Sequence, residues 1–424
     1  MASSRDSNPT VGRGKARPAS LPGLPSQLPS EHLLRLLGRI ARECGSRAFL
    51  VGGPVRDMLL GLPLGTDIDI AVEKNPGRVG RAVARHFGAR FVFHRRFLSG
   101  TVSLIDSARI DINQTRTEIY SRPAVLPEVK PVPVEDDLVR RDFTVNALAL
   151  DISPRTFGNL LDPHSGRLDL ARRIIRVLHP NSFTDDPTRS FRAIRFAVRL
   201  GFEIEPDTLS LMRRSIRNRL PARLSPERIL YELRLICAEP LVLRMMEAVL
   251  KERLLQVCFG WQVPQTLLPG LQKLASSSAT PDSIYVYLLS FLPMTARFPI
   301  AKLERAAAEA VRDFAGVRNR LARARRPSTV YRLLKPLPEP ALRILSRTES
   351  ASVARAVRLY LERLSRVRTS VTGSRLRGLG LRPGPAYRRV LERVLEAKLD
   401  NRVTTAAEEM ALARRLVKQG QGRG

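Results

Sequence analysis

The sequence predicts an α+β protein, in which a small mixed sheet with helices forms an N-terminal head and helical domains follow. Short apolar or alternating segments, the pattern of strands, are confined to the first third of the chain. They lie at 48–51, 66–72, 91–93, 101–105 and 109–113. From Asp136 onward nearly all of the chain has the apolar spacing of helices, apart from a turn-rich stretch at 151–168. Strands followed by a long run of helices are typical of an α+β architecture.

Helices are also expected between the strands of the head. Helical spacing is found at 30–44, with Ser30 as N-cap, at 54–60 after the Gly52-Gly53 break, and at 76–87. Four prolines without periodicity predict a loop at 120–135. We therefore divide the chain into a disordered basic tail (1–29), a head (30–160), a helical neck (161–260) and a basic helical body and tail (261–424).

The charge of the chain indicates the class of its partner. Lys and Arg number 72 against 40 Asp and Glu, which gives a formal net charge of +32 over 424 residues. Residues 301–424 carry 29 basic and 11 acidic side chains, so more than half of the excess lies in the last third. A field this positive attracts polyanions, most commonly nucleic acid. The alternative is a general solubility surface or a compositional preference for Arg.

Cysteine content and hydropathy indicate the cellular compartment of the protein. The three cysteines, Cys44, Cys237 and Cys258, lack metal-ligand spacing and are odd in number, so neither a zinc site nor a disulfide framework is expected. The sequence contains no apolar run of about 18 residues and no signal-peptide core. Because the tail at 1–29 is rich in Arg, an organelle transit peptide is an alternative, but the tail lacks the amphipathic helical pattern of such peptides. We predict a cytoplasmic protein without membrane contact, and the sequence makes no prediction of its oligomeric state.

The first constellation of chemical groups combines a double glycine with two carboxylates. A strand, Gly52-Gly53 and a helix start direct backbone N–H groups towards an anion, and Arg56 on the first helical turn is a candidate clamp for phosphates. Asp67 and Asp69 are two apart on a strand, so they face the same side of the sheet. Because neighbouring carboxylates repel, this arrangement is stable mainly around a cation.

Hard oxygen ligands with open positions suit Mg²⁺ bound together with substrate phosphates, so we expect Asp67 and Asp69 to be metal ligands and catalytic residues. A solvated strand face is the alternative. In phosphoryl transfer with two metal ions, a third carboxylate usually comes from a neighbouring strand. Asp111 is either that carboxylate or a plain surface residue.

Two further constellations supply arginines. In the segment 136–146 we expect a helix whose apolar side chains pack inward, so that Arg141 reaches a phosphate or sugar. In the segment 185–196, Asp186 could accept from the exocyclic amino group of cytosine or adenine while Arg189 donates to the adjacent ring nitrogen. Arg192 and Arg195 continue a basic stripe along the same helix. Surface ion pairs and a solvated basic face are the alternatives.

These constellations, in this order, resemble the class II tRNA nucleotidyltransferase (CCA-adding enzyme) and bacterial poly(A) polymerase family. The matching text is LVGGPVRDMLLG with DIDIAV, then EDDLVRRDFTVNALAL, then DDPTRSFRAIRFAVRLGF, within about 48–207. The resemblance implies a catalytic nucleotidyltransferase head, a neck with a nucleotide-selecting helix, and an RNA-binding body and tail. It implies that Asp67 and Asp69 bind Mg²⁺. The nucleotide-binding residues that it implies are Gly53, Arg56, Arg141, Asp186, Arg189, Arg192 and Arg195.

The resemblance also implies a substrate class. We expect CTP and ATP to be added without a template to the 3′ end of tRNA, that is, CCA addition. Many CCA-adding members have Glu where Asp185 stands, and the Asp-Asp form is similar to some bacterial enzymes that add only the terminal A. A-only or CC-only addition is therefore the close alternative, and poly(A) polymerase is the third. A non-catalytic RNA-binding protein is the alternative from another class.

Overall fold

The structure, a computed structural model, describes residues 31–62, 65, 67–104, 108–119, 128–260, 262, 264–293 and 298–421. The predicted disordered tail, the Ser30 cap and residues 120–127 of the predicted loop lie outside the described residues. The chain divides into two compact units, residues 1–189 with 200–212 and residues 190–199 with 213–424. The four-part division stays a prediction. Among the described helices, none has the length and apolar character needed to cross a membrane.

The first unit is built on a seven-stranded mixed sheet in the order β3-β4-β5-β2-β1-β8-β9. Its strands are β1 (Ala48–Val51), β2 (Asp67–Val72), β3 (Arg90–His94), β4 (Ser99–Ser103), β5 (Arg109–Gln114), β8 (Ala149–Asp151) and β9 (Leu160–Leu161). Only the β2–β5 pair is parallel in this sheet. The apolar strand β1 lies between β2 and β8 and is buried along its whole length.

Smaller elements surround this sheet. Two further strand pairs are β6 (Arg116–Ile119) with β7 (Glu128–Pro131), and β10 (Ile174–Ile175) with β11 (Glu203–Ile204). The helices are α1 (Glu31–Glu43), α2 (Gly53–Leu59), α3 (Pro76–Phe87), α4 (Val134–Val139), α5 (Gly166–Arg172) and α6 (Ser182–Asp185). Two helices cross the boundary between the units, α7 (Arg189–Leu200) and α8 (Pro206–Arg217).

The remaining described elements of the second unit are α-helices and short 3₁₀ turns. The α-helices are α9 (Pro226–Cys237), α10 (Val242–Lys251), α11 (Leu254–Phe259), α12 (Leu267–Ala275), α13 (Pro281–Phe291), α14 (Lys302–Arg312), α15 (Ala315–Ala322), α16 (Pro327–Leu334), α17 (Glu339–Thr348), α18 (Ala351–Glu362), α19 (Gly373–Gly378), α20 (Pro385–Leu399) and α21 (Ala406–Gln421). Separate apolar clusters form around Phe314 and around Leu376. The predicted α+β fold is confirmed.

Two local predictions were wrong. The predicted loop at 120–135 contains strand β7 and the start of α4, because among the described strands β7 pairs only with β6 and a strand at an edge tolerates a proline such as Pro131 at its end. The predicted helix over 136–146 ends at Val139, and a 3₁₀ turn follows at 144–146. Leu138, Phe143 and Ala147 are nevertheless fully buried, and Leu138 and Ala147 belong to one apolar cluster because the turn brings the chain back to it.

Candidate active site

Acidic side chains from two adjacent strands meet on one face of the head sheet. Strand β2 lies parallel to β5 with Asp67 opposite Arg109 and Asp69 opposite Asp111. The alternate residues of both strands, such as Ile68 and Ile110, are buried on the other face. The predicted common orientation of Asp67 and Asp69 is therefore found, and the structure adds Asp111 beside them.

The environment of Asp69 disfavours a negative charge. Burial, together with the nearby Asp111 and Asp67 carboxylates, raises its pKa to about 6, while Arg141 and Arg109 act in the opposite direction. A divalent cation would remove this repulsion. The donor chemistry and the electrostatics of the face therefore fit a hard cation such as Mg²⁺.

Protein groups contact the other two carboxylates. Arg109 donates to Asp67 from Nε and Nη2, at 3.1 and 2.7 Å. The Thr101 hydroxyl donates to Asp111. In the described parts of the chain, no three His, Cys, Asp or Glu side chains converge as a ready set of metal ligands. Asp67 and Asp69 would hold the ion together with substrate oxygens.

The Gly-Gly turn lies at the end of the buried strand β1. Gly52 has φ of 73° and ψ of −132°, a backbone conformation that favours glycine, and Gly53 begins α2. Arg56 does not reach outward as expected. It is 2% exposed, and its guanidinium contacts Asp57 at 2.6 Å and the Asn146 side-chain oxygen at 2.7 Å. Because these acceptors face the core, Arg56 connects the glycine turn to the second constellation (136–146), called the second motif below. Its contact with phosphate stays a prediction.

Asp137 organises the second motif. This carboxylate is 1% exposed and accepts hydrogen bonds from the Arg116 amide and from the side chains of Arg140 and Arg141. These neighbours hold the pKa of Asp137 below its usual value although burial opposes them. Asp137 therefore sets the directions of the two arginines that follow α4.

Arg141 connects the second motif to the first. Its Nη2 lies 3.1 Å from Asp137, and its Nη1 would be 3.0 Å from a Cβ added at Gly52. It also lowers the pKa of Asp69. The guanidinium therefore lies between the glycine turn and the carboxylate face, where an anionic substrate would be attracted.

A cavity of about 200 Å³ opens at this point. It is lined by Val51, Asp69, Ala71, Asn113, Gln114, Arg116, Asp137, Arg140 and Arg141. Within the described part of the molecule, the buried Nε atoms of Arg116 and Arg141 have no hydrogen-bond partner. Such donors fit an anion in the cavity. Sequence reasoning did not identify Arg116, Asp137 and Arg140 as site residues, although Asp137 stands three and four positions before the arginine pair.

The third motif brings Asp186 and Arg189 into adjacent positions. Asp186 lies between α6 and α7 and accepts from the Thr188 amide and hydroxyl, at 2.9 and 2.6 Å. Arg189 is 5% exposed and donates to the Ser182 hydroxyl and to the backbone oxygen of Arg140. The last contact connects the third motif to the second.

The basic stripe on α7 is not a solvated face. In the second unit Arg195 is 6% exposed and pairs with Glu232 and Glu239 on and after α9, at 3.8 and 3.5 Å. Arg192 is half-buried, lies 3.8 Å from Glu232 and stacks over Phe196. Both side chains are held by helix packing, and their contact with a nucleotide stays a prediction.

Comparisons with known proteins show which family this chain is similar to. Residues 48–176 match the family described as the poly(A) polymerase head domain. An A-adding tRNA nucleotidyltransferase of Halalkalibacterium halodurans is 33% identical over 86% of this chain and 88% of its own. A CC-adding tRNA nucleotidyltransferase of Deinococcus radiodurans is 34% identical over 89% and 92%. An A-adding enzyme of Geobacter sulfurreducens is 35% identical, and this chain spans about half (47%) of its length.

Solved structures are similar over nearly the whole chain. A CCA-adding enzyme in its apo form II matches with a TM-score of 0.75 and 29% identity, covering 92% of this chain and 95% of that one. A complex of a CCA-adding enzyme with ATP matches with a TM-score of 0.73 at 29% identity and the same coverage. The Thermotoga maritima CCA-adding enzyme complexed with tRNA matches with a TM-score of 0.70 at 27% identity, again with that coverage.

Proposed function

This chain belongs to the class II tRNA nucleotidyltransferase family, and we propose on this basis that it adds nucleotides to the 3′ end of tRNA. The observation that carries the proposal is the face formed by Asp67 and Asp69 in register with Asp111, with Arg141 beside it. Carboxylates of this kind would hold Mg²⁺, which supplies activation of the attacking hydroxyl and neutralisation of phosphoryl charge. The excess of basic residues at 301–424 supports an RNA partner.

Different side chains of the head would contact different parts of the nucleoside triphosphate. Asp67 and Asp69 would orient the metal-bound phosphates against the RNA terminus. Arg141, whose buried Nε has no hydrogen-bond partner among the described residues, would contact phosphate or sugar in the cavity. Asp186 and Arg189 would read the base, accepting from an exocyclic amino group and donating to the neighbouring ring nitrogen. Uracil and guanine present a carbonyl oxygen at that place, which a carboxylate repels.

The finer proposal concerns which nucleotides are added. Full CCA addition from CTP and ATP was the first expectation from sequence. The Asp185-Asp186 pair favours addition of the terminal A alone. A-adding relatives match 86% and 92% of the chain, and a CC-adding relative matches 89% of it. Proteins named multifunctional CCA proteins match 44% of it. We therefore favour A addition in the cytoplasm, with CCA addition as the second candidate.

The test uses purified protein, Mg²⁺ and three tRNA transcripts, ending at the discriminator base, after one C and after CC. Each is incubated with each NTP, and products are resolved at single-nucleotide length. Extension of only the CC-ended transcript, by one A, supports A addition, whereas growth of all three to CCA supports the second candidate. Addition of C alone, or a long A tail on an unrelated RNA, would replace both with CC addition or poly(A) synthesis. No incorporation on any transcript would overturn the enzyme proposal.

A further inference from the structure

The two base-reading side chains of the head are themselves held by protein groups. Asp186 Oδ1 accepts from the Thr188 hydroxyl at 2.6 Å, and Arg189 Nη1 donates to the Ser182 hydroxyl at 2.5 Å. Arg189 Nη2 also donates to the backbone oxygen of Arg140 at 2.7 Å. Ser182 is fully buried and Thr188 is 6% exposed, so water does not readily replace either hydroxyl.

We propose that Ser182 and Thr188 are positioning residues that determine which nucleobases Asp186 and Arg189 accept. The inference rests on the proposed function, and it concerns nucleoside triphosphates whose base carries an amino group beside a ring nitrogen acceptor. Neither hydroxyl needs to touch the substrate. Each acts by restricting the side chain that does.

Restriction matters because selection against a base depends on misfit. A carboxylate rejects a carbonyl oxygen only if it cannot turn away from it, and a guanidinium rejects a ring N–H only if its own N–H groups stay directed at that position. The Thr188 hydroxyl fixes the orientation of the Asp186 carboxylate in addition to the backbone N–H of the same residue. Loss of this hydroxyl should therefore weaken rejection of GTP and UTP more than it weakens use of ATP or CTP.

The arginine is restricted from two sides. Its first acceptor, the Ser182 hydroxyl, lies on the short helix α6, which comes before Arg189 in the chain. Its second acceptor, the Arg140 carbonyl, belongs to the turn after α4. The side chain of Arg140 is in turn bound to Asp137 and Glu118, so that carbonyl has a defined place. Removal of the Ser182 hydroxyl leaves the planar guanidinium of Arg189 held by one of these two hydrogen bonds, so that it can tilt about the remaining one.

The experiment measures kcat/KM for all four NTPs on the tRNA transcript that the wild-type protein extends. Thr188→Val removes the hydroxyl but keeps the shape and the backbone N–H, whereas Thr188→Ser keeps the hydroxyl. Ser182→Ala is the second test variant. Its matched control is Ser190→Ala, because Ser190 is another fully buried serine, and within the described structure its hydroxyl has no hydrogen-bond partner.

We expect T188V and S182A to lower the ATP/GTP ratio of kcat/KM by about tenfold or more, the effect of a lost hydrogen bond to a charged group. The same loss is expected in the CTP/UTP ratio if the wild-type protein incorporates CTP. T188S and S190A should keep the wild-type ratios. Equal losses for all four NTPs, or ratios within about twofold of wild type in both test variants, would overturn the inference. If thermal melting shows that one test variant is not folded, the ratios of the other test variant decide whether the inference stands. A wild-type protein without incorporation would instead refute the proposed function.

Discussion

Arg109 holds Asp67 by two hydrogen bonds, from Nε at 3.1 Å and from Nη2 at 2.7 Å. The two residues are directly opposite each other in the parallel pair of β5 and β2. Their side chains are 55% and 52% exposed, so the pair is weak in water. Because Asp67 is also the proposed ligand of Mg²⁺, the guanidinium and the metal ion compete for one carboxylate.

The first prediction is that Arg109→Gln tightens metal binding. Removal of an exposed ion pair worth about 0.2–1 kcal/mol should lower the dissociation constant for Mn²⁺ by up to about fivefold. Electron paramagnetic resonance of free Mn²⁺ measures this without any turnover. Arg388→Gln is the control, since it removes an exposed pair of the same kind with Glu392 on α20. Weaker Mn²⁺ binding in R109Q would mean that Arg109 supports the ligand and does not compete for it.

A second prediction concerns the carboxylates. Asp67→Ala or Asp69→Ala should lower nucleotide incorporation at least about 100-fold, since each removes a group that acts on transition-state charge. Affinity for tRNA, measured by filter binding at low salt, should stay near wild type. Asp111→Asn belongs in the same series, because a comparable loss would make Asp111 the third carboxylate and wild-type activity would make it a surface residue. Parallel loss of RNA binding and incorporation in D67A and D69A would show that these carboxylates are structural.

The polar face of the head could be predicted, because side chains alternate between the two faces of a strand and this alternation alone assigns each residue to a face. Asp67 and Asp69 with Ile68 between them can have only one arrangement on a strand. The partner strand could not be predicted in the same way. That Asp111 lies beside Asp69, and Arg109 beside Asp67, follows from a parallel register between β2 and β5, which are separated by a helix and two strands.

The arginines were harder to place than the carboxylates. Spacing along α7 predicted one basic stripe, but Arg195 is buried beside Glu232 and Glu239, residues about 40 positions later in the chain. Arg56 is likewise turned inward by Asn146, which lies 90 positions away. Long-range acceptors of this kind leave no periodic signal in the sequence. They decide whether an arginine faces solvent or the core.

A third prediction concerns salt. Because residues 301–424 carry 29 basic against 11 acidic side chains, RNA binding should release many counterions. Between about 50 and 200 mM KCl we expect affinity for tRNA to fall at least about tenfold, with a linear plot of log K against log salt. Fluorescence anisotropy with labelled tRNA measures it, and the KM for ATP at each salt serves as the reference. A flat response would remove the basis for an RNA surface in this region.

A fourth prediction follows from the raised pKa of Asp69. The folded value is about 6 against an ordinary value of 3.8, so the folded protein holds a proton more tightly than the unfolded chain. The stability that this proton contributes is present below pH 3.8 and is lost as the pH rises through about 6. Asp69→Asn resembles the protonated form. In EDTA it should therefore melt above the wild type at pH 8, by on the order of a few degrees, and the difference should shrink towards pH 4.5.

The control for this fourth prediction is the metal itself. Mg²⁺ binds only the ionised carboxylate, so it should raise the melting temperature of the wild type at pH 8 and leave D69N nearly unchanged. A D69N variant that melts below the wild type in EDTA at pH 8 would contradict the electrostatic account. It would indicate that Asp69 is stabilised by its neighbours as an anion.

The last prediction tests the contact between the glycine turn and Arg141. A Cβ at Gly52 would lie 3.0 Å from Arg141 Nη1, so Gly52→Ala should displace the guanidinium and raise the KM for NTP about tenfold. Alanine at a positive φ also costs about 1–2 kcal/mol of stability. Gly61→Ala separates the two effects, because Gly61 has φ of 66° and no atom of the described residues lies within 4 Å of its Cβ position. G61A should therefore lose stability without a change in KM. If G52A does the same, Arg141 does not contact the nucleotide from this position.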